Sequence, residues 1–147
     1  MTELEITVDK VAAFERGAGE GDAELKLRDG TRCRFSRQLP HFDFWAELLE
    51  TGLEYGWHLY VACEPSTGRL KVVLPAQVVN VESVEPDAGG ERLTIRFQQL
   101  HAVHVLEKAE RNYDAMALLL AQAAASDEPV IVTADPRGMA IVDVRPA

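Results

Sequence analysis

The sequence predicts an α+β fold: a mostly antiparallel sheet or partly open β-barrel built from hairpins, with two helices packed on it. Apolar residues at helical spacing predict the helices over about 44–55 and 113–125. Short turn sequences between runs rich in Val, Leu, Ile and Phe predict the hairpins. These turns lie at residues 28–30, 64–68, 86–90 and 135–138. The length of 147 residues suits one domain, so we expect a single α+β domain over 1–147, without internal repeats.

The alternation of side chains sets the register of the first hairpin. A three-residue loop over 28–30 pairs Leu25 with Cys33 and gives the hairpin one apolar face. A two-residue turn would mix apolar and charged side chains on both faces. The longer loop needs a residue in the left-handed conformation, and Gly30 suits that position.

Five basic residues lie close together in and around this hairpin. The predicted register places them mainly on its solvated face, where Glu24 partly neutralises them. We favour a solvated sheet face, and an anion-binding patch is the alternative. The five are Lys26, Arg28, Arg32, Arg34 and Arg37.

The first helix follows this hairpin. Asp43 is a candidate N-cap, and Gly56 is the expected left-handed residue that ends the helix. Alternating apolar residues then predict strands over about 57–63, 70–74, 78–84 and 93–97. Pro75 cannot donate a ladder hydrogen bond, so it should mark a strand end, an edge or a bend.

The second helix is the most strongly patterned element. Asn112 is a candidate N-cap, and Asp114 lies where the helix dipole favours an anion. Because the helix is nearly apolar all round from Ala115 to Ala121, it should be largely covered. We expect the sheet on one side and a second subunit on the other. A final hairpin, rich in Val and Ile, follows it.

Charge and composition limit the classes of partner. The formal net charge is −9, from 24 acidic and 15 basic residues, which makes nucleic acid an unlikely partner and suits a basic protein. No apolar run approaches the roughly 20 residues that cross a bilayer, and the acidic N-terminus does not resemble a signal peptide. We therefore expect a cytoplasmic protein without membrane contact. In that compartment Cys33 and Cys63 should be free, buried thiols, with a disulfide as the alternative.

A few polar residues could line a ligand site. His58 and Tyr60 share one face of a predicted strand, and a neutral imidazole beside a phenol can bind a ligand or act as a general base. His101 and His104 form a His-x-x-His pair, but three residues apart on a strand they point to opposite faces. Asp143 lies among apolar neighbours, with Arg145 as its simplest ion-pair partner.

These residues form no catalytic, metal or nucleotide motif of recognisable specificity. We expect no metal and no cofactor. The favoured interpretation is a non-enzymatic binding or assembly module that acts through protein–protein contacts and forms a homo-oligomer. The alternative is a small-ligand-binding protein or enzyme with a polar cleft near His58, Tyr60 and His101. A third interpretation, which the net charge disfavours most, is a nucleic-acid-binding barrel that uses the Lys26–Arg37 face.

Overall fold

The computed structural model describes residues 3–17 and 21–147 and confirms the predicted α+β class. The two helices are α1 (Phe42–Tyr55) and α2 (Tyr113–Ser126), close to the predicted bounds. Ten strands surround them in the sequence. They are β1 (Glu5–Glu15), β2 (Ala23–Leu27), β3 (Arg32–Phe35), β4 (His58–Cys63), β5 (Leu70–Val79), β6 (Val81–Pro86), β7 (Arg92–Phe97), β8 (His104–Glu107), β9 (Val130–Ala134) and β10 (Ile141–Pro146).

The chain divides into two compact units, which we call unit 1 (Met1–Pro75) and unit 2 (Ala76–Ala147). The boundary falls inside β5, which runs through Pro75 without a break. One domain over 1–147 therefore stays a prediction, while the contacts define two units. Within the described residues, no helix is long and apolar enough to cross a membrane.

Unit 1 is a ring of five strands with α1 inserted between β3 and β4. β1 pairs with β4 through Lys10 and with β2 from Val11 onward, and all these pairings are antiparallel. The strand order is β5-β4-β1-β2-β3. The ring closes where Arg34 of β3 forms a parallel bridge with Arg69, and the Arg34 N–H donates to the Gly68 carbonyl at 2.9 Å.

The first hairpin has the predicted register. Leu25 pairs with Cys33, Lys26 with Arg32, and Gly30 adopts a left-handed φ of 97°. The inward residues form the core of unit 1, together with the inner face of α1. That core includes Val11, Leu25, Leu27, Phe35, Phe42, Ala46, Leu49, Leu59, Val61, Leu70 and Val73.

Unit 2 has the same arrangement of strands. The end of β5 pairs with β9, and β6, which follows it after Asn80, pairs with β7. β7 pairs with β8, and β9 pairs with β10. Val105 of β8 forms a parallel bridge with Ala140, and the Val105 N–H donates to the Met139 carbonyl at 3.1 Å. Its core includes Val79, Val81, Ile95, Phe97, Leu106, Met116, Leu120, Ala123, Val130, Val132, Ile141 and Val144.

The two units are therefore an internal repeat, and the expectation of no repeat is wrong. Helices α1 and α2 have the same length and begin 71 residues apart. The same offset relates the two bridges that close the rings, Arg34–Arg69 and Val105–Ala140. The offset is 70 residues between β1 and β2 of unit 1 and the matching strands β6 and β7 of unit 2. The register irregularity after Val11 therefore recurs after Val81.

Each unit has the topology of the OB-fold, a five-stranded, partly open Greek-key barrel. The first strand is β1 in unit 1, and the end of β5 together with β6 in unit 2. This strand pairs with the second and the fourth strand of its unit, and the third strand meets the fifth in parallel. The helix lies between the third and fourth strands. The curled antiparallel sheet expected from the sequence is thus present, and β6, β7 and β8 form a separate three-stranded sheet, so the ring of unit 2 is interrupted between β5 and β6.

The helix ends confirm the predicted positions of Gly56 and Asn112 and correct that of Asp43. Gly56 ends α1 with a left-handed φ of 68°. Asp43 is not the N-cap, because α1 begins at Phe42 with His41 in the cap position, so Asp43 lies in the first turn instead. Asn112 precedes α2 as predicted, but it is left-handed (φ 64°) and its side chain makes no capping hydrogen bond.

Cys33 and Cys63 form a disulfide, which corrects the prediction of free thiols. β3 and β4 are far apart in the strand order, but the ring closure brings Cys33 towards the hairpin that β4 forms with β5. Disulfides persist mainly in oxidising compartments, so this bond weighs against the expected cytoplasmic location, which stays a prediction.

Candidate functional site

Unit 1 contains an open cleft of about 540 Å³ beside the hairpin of β2 and β3. It is bounded by the end of β1, by both strands of the hairpin, and by the turn between β4 and β5. Its cations are Lys26, Arg32 and Arg34, and we call it the cationic cleft. Its other lining residues are Ala13, Phe14, Glu15, Glu24, Leu25, Cys33, Thr67 and Gly68.

The ring closure of unit 1 builds this cleft. The hydrogen bond from Arg34 to the Gly68 carbonyl holds the β4–β5 turn against β3, which brings Thr67 and Gly68 to its wall. Gly68 has a left-handed φ of 70°, and a Cβ there would lie 3.6 Å from the Arg32 carbonyl oxygen. Glycine therefore suits the left-handed conformation of the turn, whereas the distance to Arg32 is an ordinary van der Waals contact that a Cβ could make.

The three cations of the cleft are exposed and have no carboxylate partner. No ion pair or side-chain hydrogen bond involves Lys26, Arg32 or Arg34 within the described residues. Glu24 pairs with Arg34 in the register but forms no salt bridge with it, so the expected partial neutralisation is not seen as an ion pair. Lys26 lies directly opposite Arg32, an arrangement of like charges that destabilises a hairpin.

The equivalent surface of unit 2 carries less positive charge. By the repeat offsets, Val103 and Val105 replace Arg32 and Arg34, while Arg96 replaces Lys26. Since both units form the same ring of strands, the fold itself does not require the two arginines.

The other two basic residues of the predicted cluster lie elsewhere. Arg37 donates hydrogen bonds to the carbonyls of Arg16 and Gly21, and its guanidinium lies 5.4 Å from the centre of the Phe42 ring. It therefore stabilises the local structure of unit 1. Arg28 is exposed at the hairpin loop and does not line the cleft.

His58 and Tyr60 both lie half-buried on β4, where they pair with Lys10 and Val8 of β1. Burial lowers the pKa of His58, and the nearby charge of Lys10 lowers it further. His58 and Tyr60 lie two residues apart on β4 and so share one face of the strand, as predicted. Neither residue lines the cationic cleft, and a ligand site at this pair stays a prediction.

The three remaining candidates all belong to unit 2. His101 is exposed in the loop before β8, whereas His104 is buried, so one histidine faces outward and one inward as predicted. Asp143 accepts a hydrogen bond from Arg145 at 3.0 Å, the expected ion pair. Within residues 3–17 and 21–147, no group of three or more His, Cys, Asp or Glu side chains could hold a metal ion.

His104 occupies the position that Cys33 occupies in unit 1. Its ring packs edge-on against Phe97 with 5.1 Å between the ring centres, and its Nδ1 is buried without a hydrogen-bond partner. Burial lowers its pKa, although a hydrogen bond with the Ala102 backbone opposes that shift. His104 thus fills the core of unit 2 where unit 1 has its disulfide.

The comparisons with known proteins give no match. No family model, no curated protein and no solved structure matches the chain. The class of protein therefore has to be argued from the repeated barrel and the cationic cleft alone.

Proposed function

We propose that the protein is a non-enzymatic binding module that acts through protein–protein contacts, and that the cationic cleft binds an extended acidic segment of a partner protein. The observation that carries the proposal is the set of three unpaired cations around one cleft, two of which are absent from the equivalent surface of unit 2. An anion between Lys26 and Arg32 would relieve their repulsion, because the pair then shares a counter-charge.

The form of the cleft favours a chain-like ligand. Its volume of about 540 Å³ is in the usual range of binding sites. The cleft is nevertheless open to solvent, because exposed residues such as Lys26, Arg34 and Thr67 line it. An OB-fold binds oligonucleotides and oligosaccharides, which are chain-like ligands, across its second and third strands and beside the loops that join its first strand to the second and its fourth to the fifth. Of these elements, β2, β3 and the β4–β5 turn of unit 1 are three of the walls of the cleft.

The charges favour an acidic protein segment over nucleic acid. Glu15 and Glu24 line the cleft beside the three cations, and the whole chain carries a net charge of −9. A long phosphate backbone would leave the cleft and meet this negative surface, whereas a short acidic segment can end within it. Phe14, the only aromatic side chain among the described residues that line the cleft, already stacks on Phe35 with 6.0 Å between the ring centres.

A short peptide of alternating residues tests the proposal. A fluorescein-labelled (Glu-Ser)5 peptide is titrated with the protein at low salt and followed by anisotropy. We expect saturable binding that weakens as salt is added and a loss of affinity of about tenfold or more in R34E. Any attraction of a labelled (Lys-Ser)5 peptide to the acidic chain should not be weakened by R34E. The matched control is R96E, which reverses an exposed cation on the equivalent hairpin of unit 2.

Three results would overturn the proposal. The first is the absence of (Glu-Ser)5 binding at millimolar protein. The second is an equal loss of affinity in R34E and R96E, which would mean attraction without a site. The third is tighter binding of a labelled oligothymidylate that R34E abolishes, because the cleft would then be a nucleic-acid site. Circular dichroism of R34E verifies that the variant is folded.

A further inference from the structure

The disulfide of unit 1 lies in the wall of the cationic cleft. Cys33 stands between Arg32 and Arg34 on β3, and it is one of the residues that line the cleft. Its partner Cys63 is the last residue of β4, directly before the β4–β5 turn. The bond therefore ties one wall of the cleft, β3, to the base of another wall, the turn that carries Gly68.

The β4–β5 turn is compact, so the position of Cys63 fixes the position of this wall. The Glu64 N–H donates to the Arg69 carbonyl at 2.9 Å, and the Gly68 N–H donates to the Glu64 carbonyl at 2.8 Å. Within the described part of unit 1, the turn meets β3 at one β-bridge, between Arg34 and Arg69. The disulfide is the covalent link beside that bridge.

Unit 2 makes the equivalent closure between β8 and the β9–β10 turn with His104 and Ala134 in place of the two cysteines. Its bridge pairs two uncharged residues, Val105 and Ala140. The bridge of unit 1 pairs Arg34 with Arg69, and both arginines are exposed. Like charges on neighbouring strands repel one another. The covalent bond thus occurs in the unit whose closure brings two cations together.

We propose that the Cys33–Cys63 disulfide is a redox switch for the cationic cleft, an inference that rests on the proposed function of that cleft. In the oxidised protein the bond holds the turn against β3 and keeps Arg34 beside Arg69. In the reduced protein the single bridge alone opposes the repulsion of the two arginines. The turn then moves away from β3, the cleft loses one wall, and its affinity for an acidic segment falls.

The reductant is a dithiol, and the cleft gives it access to one sulfur. Its thiolate attacks Sγ of Cys33, the cysteine that lines the cleft, so that the bond to Cys63 breaks and a mixed disulfide forms. The second thiol of the reductant then attacks the reductant's own sulfur in this mixed disulfide and releases Cys33. Two electrons and two protons pass to the sulfurs of Cys33 and Cys63, and the reductant leaves as a cyclic disulfide.

Peptide affinity in the two redox states tests the inference. The labelled (Glu-Ser)5 peptide is titrated with oxidised protein and with protein kept in dithiothreitol, and we expect reduction to weaken binding about tenfold. The control is C33A/C63A, which should bind as weakly as the reduced protein and should not respond to dithiothreitol. In R69A one of the two repelling charges is gone, so reduction should weaken binding clearly less than in the wild type.

The coupling must also act in the opposite direction, because linkage between two binding events is reciprocal. The fraction of reduced protein is measured in dithiothreitol redox buffers by alkylation of the free thiols and mass spectrometry. Saturating (Glu-Ser)5 should move the midpoint potential of the disulfide to a more negative value, by about 30 mV for a tenfold difference in affinity. (Lys-Ser)5 at the same concentration is the matched control and should leave the midpoint unchanged.

The outcomes separate this inference from the proposed function. Equal affinity of (Glu-Ser)5 for the oxidised and reduced protein would overturn the switch and leave the binding function intact. Absence of binding to the oxidised protein would overturn the function, and the switch with it. A reduced protein without native circular dichroism would also overturn the switch, because the fold and not the cleft would then depend on the bond.

Discussion

Removal of the disulfide should destabilise unit 1 strongly. The Cys33–Cys63 bond joins β3 to β4, and the residues that it links are 30 apart in the sequence. In the unfolded chain such a bond closes a loop and removes conformational entropy, which destabilises the unfolded state. Unit 2 holds the same ring of strands with His104 and Ala134 at the equivalent positions, so the topology does not depend on the bond.

The loop length sets the magnitude. A closed loop of 30 residues corresponds to about 3.5 kcal/mol at 25 °C in the chain-entropy treatment. For a unit this small, a urea m-value of about 1 kcal/mol/M converts that energy into a midpoint lower by about 3.5 M. Since whole domains have stabilities of about 5 to 15 kcal/mol, this loss is a large share of the total.

Tryptophan fluorescence can follow unit 1 by itself. The chain has two tryptophans, Trp45 and Trp57, and both belong to unit 1. Trp45 packs edge-on against Phe35 with 5.5 Å between the ring centres, so its emission should report the unfolding of this core. Urea unfolding with and without dithiothreitol gives the two midpoints. The control is the double variant C33A/C63A, whose midpoint should be low and insensitive to the reductant.

An unchanged fluorescence midpoint on reduction would refute this reasoning. So would the detection of two free thiols in the unreduced protein after denaturation, because no bond would then be present to remove. A midpoint that falls by much less than 1 M would show that residual structure restrains the unfolded chain of unit 1 even without the bond.

Three further predictions concern the stability of the units. Because burial lowers the pKa of His104, the unfolded chain alone binds the proton as the pH falls below about 6.5. The free energy of unfolding of unit 2 should be highest above that pH and decrease towards pH 5. In thermal melts, H104L should make the melting temperature depend less on pH. L49A and L120A should each cost about 3 kcal/mol in urea unfolding, the first detected by tryptophan fluorescence and the second by circular dichroism. M139G should stabilise unit 2 by about 1 kcal/mol in the same assay, because Met139 is left-handed (φ 57°) where unit 1 has a glycine.

The sequence predicts local structure well and long-range structure poorly. The register of the first hairpin follows from alternation, because one slip would expose Leu25 and Leu27. The repeat is hidden because the two units share mainly core positions, such as Leu49 and Leu120, while their surface residues differ. The disulfide is hidden for another reason, since only the closed ring brings Cys33 near Cys63.

The basic residues of the candidate site can be predicted from the sequence, but its remaining wall cannot. Lys26, Arg32 and Arg34 stand out as a basic cluster, and their exposure agrees with the expected solvated face. What alternation alone cannot supply is the wall formed by Thr67 and Gly68, more than 30 residues further along the chain. Among the described residues that line the cleft there is no histidine, and its charged side chains are those of Glu15, Glu24, Lys26, Arg32 and Arg34.

The two units bear conformational strain unequally. The described non-glycine residues with a left-handed backbone are Asn112, Asp127 and Met139, and all three lie in unit 2. Unit 1 has Gly56 and Gly68 at the positions equivalent to Asp127 and Met139. A protease that requires locally opened chain should therefore cut unit 2 first. Digestion would then leave a fragment that retains the cationic cleft of unit 1, so peptide binding could be assayed in the absence of unit 2 and without a substitution.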